Sequence, residues 1–233
     1  MLTEQELMKI HVQALFTNDA QSRLLFVNEP GGRTPAPRIF LGRTRAGNLW
    51  RFRAGLPESL IEELDALCTE EPVSNEFHSK PRHFEAYVRL LETHAPVQEL
   101  WMGLAYHFTK YLEPSRPLLA ITETNAEMLR GGFEKLIMEL PDWQPFLAIV
   151  EGSGAVSVCR SVRITPKAHE AGVETLHDYR GKGYAKDVVA GWAHAVQSIG
   201  AMPLYSTSWE NTASQAVAKK LRLVAYGPDF HII

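Results

Sequence analysis

One stretch, residues 173–185, carries the clearest chemical pattern in the sequence. It reads VETLHDYRGKGYA, so a strand-forming run leads into a glycine-rich turn that opens a helix. Such a turn leaves backbone N–H groups unpaired at the positive end of the helix dipole. Gly181 and Gly183 permit close approach of a ligand, and Arg180 and Lys182 add positive charge. The pattern predicts a loop at residues 180–185 that binds a pyrophosphate.

Two common phosphate-binding loops do not fit this stretch. A P-loop requires Ser or Thr directly after its Gly-Lys pair, whereas Gly181-Lys182 is followed by Gly183. A dinucleotide-binding turn requires a third glycine at its own spacing and an acidic residue at the end of the next strand. The sequence meets neither requirement.

The spacing of Arg180, Gly183 and Ala185 resembles the signature of the GNAT superfamily of acyl-CoA-dependent N-acyltransferases, which is Gln or Arg, two residues, Gly, one residue, and Gly or Ala. Residues 203–214 resemble the next strand of that family, which ends in an asparagine, here Asn211, that opens a helix. The order and spacing agree over residues 172–231, and residues 116–165 supply a strand, a helical segment and a hairpin in the expected order. We find no such resemblance for residues 1–112.

The resemblance implies that acetyl-CoA is the cosubstrate. The strand at 172–176 should splay from the strand at 204–208, so that the pantetheine arm pairs with main-chain groups of the first strand. Asn211 is expected to bond the arm, or alternatively to act only as a helix N-cap. The predicted cofactor-binding residues are Val173, Glu174, Thr175, Arg180, Gly181, Lys182, Gly183, Tyr184, Ala185, Asn211 and Ser214.

The general acid is not apparent from the sequence. The family often places a tyrosine seven residues after the asparagine, and that position here is Ala218. Tyr226 and Tyr205 are candidates because they are near in sequence, although each is also expected to be a packing residue.

For the general base, the sequence offers a pair of glutamates around the strand that precedes the glycine-rich turn. Glu170 and Glu174 are four residues apart and therefore face the same side of a strand. Glu174 is the closer to the expected position of the thioester, and the alternative is an edge position exposed to solvent. His169 and His177 are weaker candidates.

These observations predict an N-acetyltransferase that moves an acetyl group from acetyl-CoA to a primary amine by direct transfer in a ternary complex. The acceptor is a small-molecule or peptide amine that the sequence does not identify. The alternative hypothesis is a catalytically degenerate domain that binds CoA or acyl-CoA as a sensor or regulator, since Ala218 lacks the usual hydroxyl.

Composition limits the other classes. The chain has 233 residues, a net charge of −3 and two cysteines, so a generic polyanion binder, a disulfide framework and a cysteine zinc site are not expected. We predict no metal, and either a monomer or a homodimer. The acidic N-terminus and the short apolar runs indicate no signal peptide and no membrane span, so the cytoplasm is the expected location.

One segment is locally basic despite the net negative charge. No acidic residue lies between Glu29 and Glu58, and the segment contains Arg33, Arg38, Arg43, Arg45, Arg51 and Arg53. These side chains could contact a phosphate or an acidic partner. The preferred interpretation is a set of solvated side chains on a half-exposed sheet, so nucleic acid is not an expected partner.

The elements that position these residues form an α/β fold with a mixed sheet. We predict a GNAT-like acetyl-CoA-binding domain at 116–233, preceded by an α+β region at 1–115 that is a cap or a degenerate second copy of the fold. The predicted helices are 3–17, 56–70, 84–93, 97–111, 125–140, 184–199 and 212–221. The predicted strands are 117–122, 146–151, 155–165, 172–176, 204–208 and 223–232, with shorter strands within 23–55.

Overall fold

The structure, a computed structural model, describes residues 2–73, 75–110 and 112–233. The chain forms two compact units. Unit 1 comprises Met1–Tyr106, Ser206–Thr212 and Ala225–Ile233, and unit 2 comprises His107–Tyr205 and Ala213–Val224. Two late segments of the chain therefore belong to the first unit. The division near residue 115, into a cap or second copy and a cofactor domain, stays a prediction.

The described residues of unit 1 form three helices and a group of paired strands. Strand β3 pairs with β4 on one side and with β11 on the other, and β5 follows β11 in the strand order. A separate two-stranded sheet is formed by β1 and β2. The elements are α1 (Glu4–Leu15), β1 (Phe16–Asn18), β2 (Leu24–Val27), β3 (Ile39–Thr44), β4 (Gly47–Phe52), α2 (Glu58–Glu70), α3 (Phe84–His94), β5 (Leu100–His107) and, at the C-terminus, β11 (Val224–Ile232).

The predicted helix at 97–111 is wrong. The chain there forms β5 instead, and the Ile233 main chain bonds Gln98 and Glu99 at its start. Aromatic and long apolar side chains such as Trp101 and Met102 suit a strand, and pairing with a partner far along the chain overrides a local helical pattern. Tyr111, the last residue of the predicted helix, lies outside the described residues.

Unit 2 is built on a mixed sheet with the strand order β10-β9-β8-β7-β6. Strands β9 and β10 are parallel, whereas the other neighbours are antiparallel. This confirms the predicted mixed α/β class. The elements are β6 (Leu119–Ala120), β7 (Phe146–Glu151), β8 (Gly154–Ile164), β9 (Ala168–Thr175), α4 (Tyr184–Ser198), β10 (Met202–Ser208, in this unit up to Tyr205) and α5 (Thr212–Lys220, in this unit from Ala213).

A single helix at 125–140 is also a wrong prediction. Two 3₁₀ segments, Glu123–Leu129 and Glu134–Glu139, take its place. Between them, Gly131 has φ +95° and Gly132 has φ +154°, values that interrupt a helix. The apolar residues of this region still pack over the sheet of unit 2, in one cluster with Phe146, Val158 and others.

The arginines of residues 33–53 do not form one solvated face. Arg38 and Arg43 are 2% and 3% exposed. Arg38 donates to four main-chain carbonyls, those of Leu91, Ala95, Pro96 and Ile233. Arg43 donates to the main-chain carbonyls of Ser79 and Lys80. The preferred interpretation, that the run is a set of solvated side chains, is therefore wrong for Arg38 and Arg43, which are buried and bond main-chain carbonyls.

Candidate functional site

The ladder between β9 and β10 is short. It joins Met202 to Ala168, Pro203 to His169 and Leu204 to Glu170, and in the described chain no further pair of these strands follows. Strand β9 nevertheless continues to Thr175, paired on its other side with β8. The two strands therefore stop pairing after Glu170, as the predicted splay requires. Val173, Glu174 and Thr175 all lie in the part of β9 beyond this point.

The loop after β9 has the backbone geometry of an anion-binding turn. Gly181 and Gly183 have φ +75° and +87°, and Gly183 occupies the N-cap position of α4. A side chain at Gly181 would meet no atom within 4 Å, so this residue borders open space. In the described part of the chain, the N–H groups of Gly181, Lys182, Gly183 and Tyr184 make no hydrogen bond to another backbone group. They remain available at the start of α4, with Ala185 in its first turn.

Charged and aromatic side chains surround this loop. Arg180 donates from Nε to the Thr175 carbonyl at 3.2 Å, which leaves its terminal nitrogens for a ligand. The Tyr179 and Tyr184 rings meet edge to face at 5.6 Å. Tyr184 donates its hydroxyl to Glu151 at 2.8 Å, and this hydrogen bond raises the pKa of Tyr184. Lys182 lies over the Tyr179 ring, 5.4 Å from its centroid.

An ion pair between Arg116 and Asp187 lies directly beside the loop. Asp187 is 1% exposed in the first turn of α4, and it also accepts from the Ser115 N–H at 3.1 Å. Arg116 donates to the Lys182 carbonyl at 3.0 Å and lies over the Tyr184 ring at 4.5 Å. Burial opposes ionisation of Asp187, but the hydrogen bonds from Ser115 and Arg116 and the nearby Lys186 outweigh it and lower its pKa.

Glu174, the first candidate base, is held by two cations. Its Oε1 lies 3.0 Å from Nη1 of Arg160, and its Oε2 lies 3.1 Å from Nζ of Lys135. The Glu174 side chain is 33% exposed, and the Arg160 guanidinium packs 4.6 Å from the centre of the Trp143 ring. Glu174 is thus accessible and has a defined orientation.

The other candidate bases on β9 are buried. Glu170 is 3% exposed, at the last position of the ladder with β10. His169 is 6% exposed, and its Nδ1 lies 2.9 Å from Oγ of Ser161, which accepts from the Trp192 indole at 3.1 Å. Burial lowers the pKa of His169, so the ring is held neutral within the interior. His177 is exposed and lies against Asp178.

The remaining predicted residues divide between the two units. Ser214 is in unit 2, with its hydroxyl 2.7 Å from that of Tyr205, and Ala218 is 1% exposed in the same helix. Asn211 and Tyr226 are in unit 1. Asn211 is exposed just before α5. Tyr226 is 1% exposed and meets His11 edge to face at 6.0 Å, which is the packing role expected as its alternative.

Sequence reasoning did not identify Arg116, Asp187 or Arg160. Asp187 did carry a signal, since a lone carboxylate opens the apolar run Val188-Val189-Ala190 in the first turn of a helix. Arg116 and Arg160 carried none, because their partners lie 71 and 14 residues away. Within the described chain, no group of three metal-ligating side chains is assembled. No described helix is both long and apolar enough to cross a membrane.

A comparison with family models matches residues 147–225 to the family described as GNAT acetyltransferase. This match runs from the second residue of β7 through α5 and includes the whole candidate loop. The predicted resemblance to the GNAT superfamily is therefore confirmed over this part of the chain. No curated protein matches the chain.

Several solved structures described as GNAT proteins are similar to this chain at low sequence identity. A GCN5-related N-acetyltransferase-like protein from Streptococcus suis is 18% identical, with 85% of each chain covered and a TM-score of 0.47. An acetyltransferase of the GNAT family from Colwellia psychrerythraea is 14% identical, covering 79% of this chain and 75% of that one at a TM-score of 0.49. A GNAT-family protein from Novosphingobium aromaticivorans is 16% identical at a TM-score of 0.47, and 58% of this chain spans 65% of its length.

Proposed function

We propose that this chain is an N-acetyltransferase that moves an acetyl group from acetyl-CoA to a primary amine in a ternary complex. The observation that carries the proposal is the loop between β9 and α4. Two glycines with positive φ leave its N–H groups open at a helix start, where Arg180 and Lys182 add charge. A pyrophosphate suits this arrangement because the donors and the dipole both favour an anion.

Different residues of the chain are proposed to bind the cofactor and to stabilise the reacting groups. The main chain of Val173, Glu174 and Thr175, beyond the end of the β9–β10 ladder, provides an open strand edge for an extended amide-rich arm. When bound, acetyl-CoA supplies the thioester carbonyl that the amine attacks. A backbone N–H at the same strand edge stabilises the oxyanion. Asn211 and Ser214 remain proposed contacts to the cofactor.

Glu174 is the proposed general base. It is more accessible than Glu170, and Arg160 and Lys135 hold its carboxylate in one orientation. A carboxylate receives the proton of the amine directly or through one water molecule, which requires access and a fixed position. Glu170 and Tyr226 remain lower-ranked proposals for proton transfer, since both are buried.

A binding function without turnover is the second candidate. Ala218 is buried and has no hydroxyl at the position where a family tyrosine would serve as acid. A chain with an intact phosphate loop and no acid would retain affinity for CoA while losing transfer.

The test combines calorimetric titration of CoA with thiol release from acetyl-CoA over a panel of primary amines. The wild-type protein should bind CoA and release thiol with at least one amine. The double variant Arg180→Ala and Gly183→Asp should lose CoA binding. The matched double variant Lys220→Ala and Gly200→Asp, at the far ends of α5 and α4, should keep it.

Circular dichroism checks that both variants are folded. Binding by wild type without amine-dependent release over the whole panel would favour the sensor. Unchanged affinity in the loop variant would reject the site.

A further inference from the structure

The loop at residues 180–185 contains a peptide unit whose orientation is set by a side chain from elsewhere in unit 2. Arg116 donates from Nη2 to the carbonyl of Lys182 at 3.0 Å. In a trans peptide the carbonyl and the following N–H point in opposite directions. The bond from Arg116 therefore directs the N–H of Gly183 away from Arg116.

Arg116 is itself fixed from several sides. Its Nη1 pairs with the buried carboxylate of Asp187, and its guanidinium lies 4.5 Å from the centre of the Tyr184 ring. Asp187 also accepts from the Ser115 N–H at 3.1 Å, so the segment before Arg116 is tied to the first turn of α4. One guanidinium therefore bonds both the loop and the helix that the loop opens.

These bonds leave little of Arg116 for direct contact with a ligand. Both terminal nitrogens of Arg116 bond protein acceptors, and its side chain is 34% exposed. Arg116 also lies close to Gly183, since a Cβ atom at this position would lie 3.7 Å from Nη1 of Arg116. Arg116 thus lies behind the loop rather than within the ligand-binding space.

We propose that Arg116, anchored by Asp187, is a positioning residue that orients the Lys182–Gly183 peptide so that the Gly183 N–H donates to the pyrophosphate of CoA. This inference rests on the proposed function, because it names how the same loop recognises the phosphates. Lysine cannot replace Arg116, since a single ammonium cannot bond the carboxylate and the carbonyl in this planar arrangement.

The experiment measures CoA affinity and acetyl-CoA kinetics for wild type, Arg116→Ala, Arg116→Lys and the control Lys220→Ala. Loss of one charge-assisted hydrogen bond that orients a donor predicts about a tenfold weaker Kd for CoA in both Arg116 variants. KM for acetyl-CoA should rise by a similar factor while kcat stays near the wild-type value. Affinity for S-acetylpantetheine, which lacks the pyrophosphate, should not change.

A readout at the peptide itself separates positioning from general stability. In wild type labelled with ¹⁵N-glycine, the Gly183 amide resonance should move downfield on CoA binding, and this shift should be lost in Arg116→Lys. If Arg116→Ala does not fold, Arg116→Lys carries the test. Wild-type affinity and an intact shift in Arg116→Lys overturn this inference alone, whereas a wild-type protein that does not bind CoA overturns the proposed function as well.

Discussion

In unit 2, Nη1 of Arg160 lies 3.0 Å from Oε1 of Glu174. The arginine is 7% exposed and comes from β8, the strand paired with β9. A buried guanidinium thus holds an accessible carboxylate on the strand proposed to bind the cofactor arm. This relationship gives Glu174 the fixed position that a general base requires.

Replacing this carboxylate tests the proposed base. Glu174→Gln should lower kcat/KM for the amine by roughly 100-fold or more, because general base catalysis contributes about that much. CoA affinity should stay within about twofold of the wild-type value, because the substitution leaves the main chain of β9 and the loop unchanged. Glu170→Gln changes the buried, lower-ranked candidate on the same face of β9, and it should lower kcat/KM far less than Glu174→Gln does. A wild-type kcat/KM in Glu174→Gln would mean that this glutamate is only structural.

Two glycines of unit 2 allow a test of the loop in which the variant and its control introduce similar backbone strain. Gly181 and Gly200 have φ +75° and +82°, and a side chain at either would meet no atom within 4 Å. They lie near opposite ends of α4, whose 15 residues span about 22 Å. Each alanine substitution should cost roughly 1 kcal/mol of stability, since both force a side chain into positive φ.

Only Gly181→Ala should weaken CoA binding, since its new methyl group stands in the open space beside the loop. Titration calorimetry measures the affinity, and urea denaturation confirms that the two variants lose similar stability. Equal CoA affinity in the two variants would show that the ligand does not approach Gly181.

The interior of unit 1 contains a carboxylate held by two histidines, and this predicts a pH dependence. Asp229 is 1% exposed, with Oδ2 lying 2.8 Å from Nε2 of His231 and 3.5 Å from Nε2 of His11. Burial alone would raise the pKa of Asp229, but the two histidines outweigh it and hold the pKa well below its ordinary value. A carboxyl whose pKa is lowered by folding stabilises the fold above its unfolded pKa of about 3.9.

The stability from Asp229 should therefore be fully present at neutral pH, begin to fall near pH 4 and decrease progressively as the pH drops toward the lowered pKa of the folded state. Asp229→Asn should cost roughly 3 kcal/mol or more at pH 7, because it breaks a buried pair. Urea denaturation at about pH 7, 5 and 3 gives the difference in unfolding free energy between wild type and variant, which should shrink only at the lowest pH. A difference that grows on acidification would contradict this assignment.

Substitutions of Arg38 test whether the basic segment at residues 33–53 stabilises the fold. Arg38→Met should cost about 3 kcal/mol or more, because it leaves buried carbonyls without their donor. Arg38→Lys should recover little of this loss, since one ammonium cannot reach the same four acceptors. CoA affinity should be unchanged in both variants.

Arg33 is surface-exposed and serves as the control for Arg38. Arg33→Met should leave the free energy of unfolding within about 0.5 kcal/mol of the wild-type value. A mobility shift of the wild type with RNA or DNA at low salt would instead support a nucleic-acid role for this segment.

Local sequence patterns were sufficient to predict the helix and the strand near the loop of residues 180–185. The helix predicted at 184–199 is observed as Tyr184–Ser198, and the strand predicted at 146–151 is observed with those bounds. The two positive φ values at Gly181 and Gly183 follow from residue type and from the turn that joins a strand to a helix. These features depend on interactions between residues close together in the sequence.

Contacts between residues far apart in the sequence determined the features that local sequence patterns did not predict. The segment at 97–111 became β5 because its neighbours in space come from the end of the chain, and no local property of the segment indicates them. Arg38 became a buried cap for the same reason, since one of its acceptors is the carbonyl of Ile233.

The sequence by itself determined the class of fold, the resemblance to GNAT proteins and the loop of residues 180–185, because each is encoded in residues that are near neighbours along the chain. Only the tertiary structure decided that Arg116 lies behind this loop and that Arg160 holds Glu174. A guanidinium and a carboxylate attract each other across any separation in sequence, so their pairing depends on where the folded backbone brings them together.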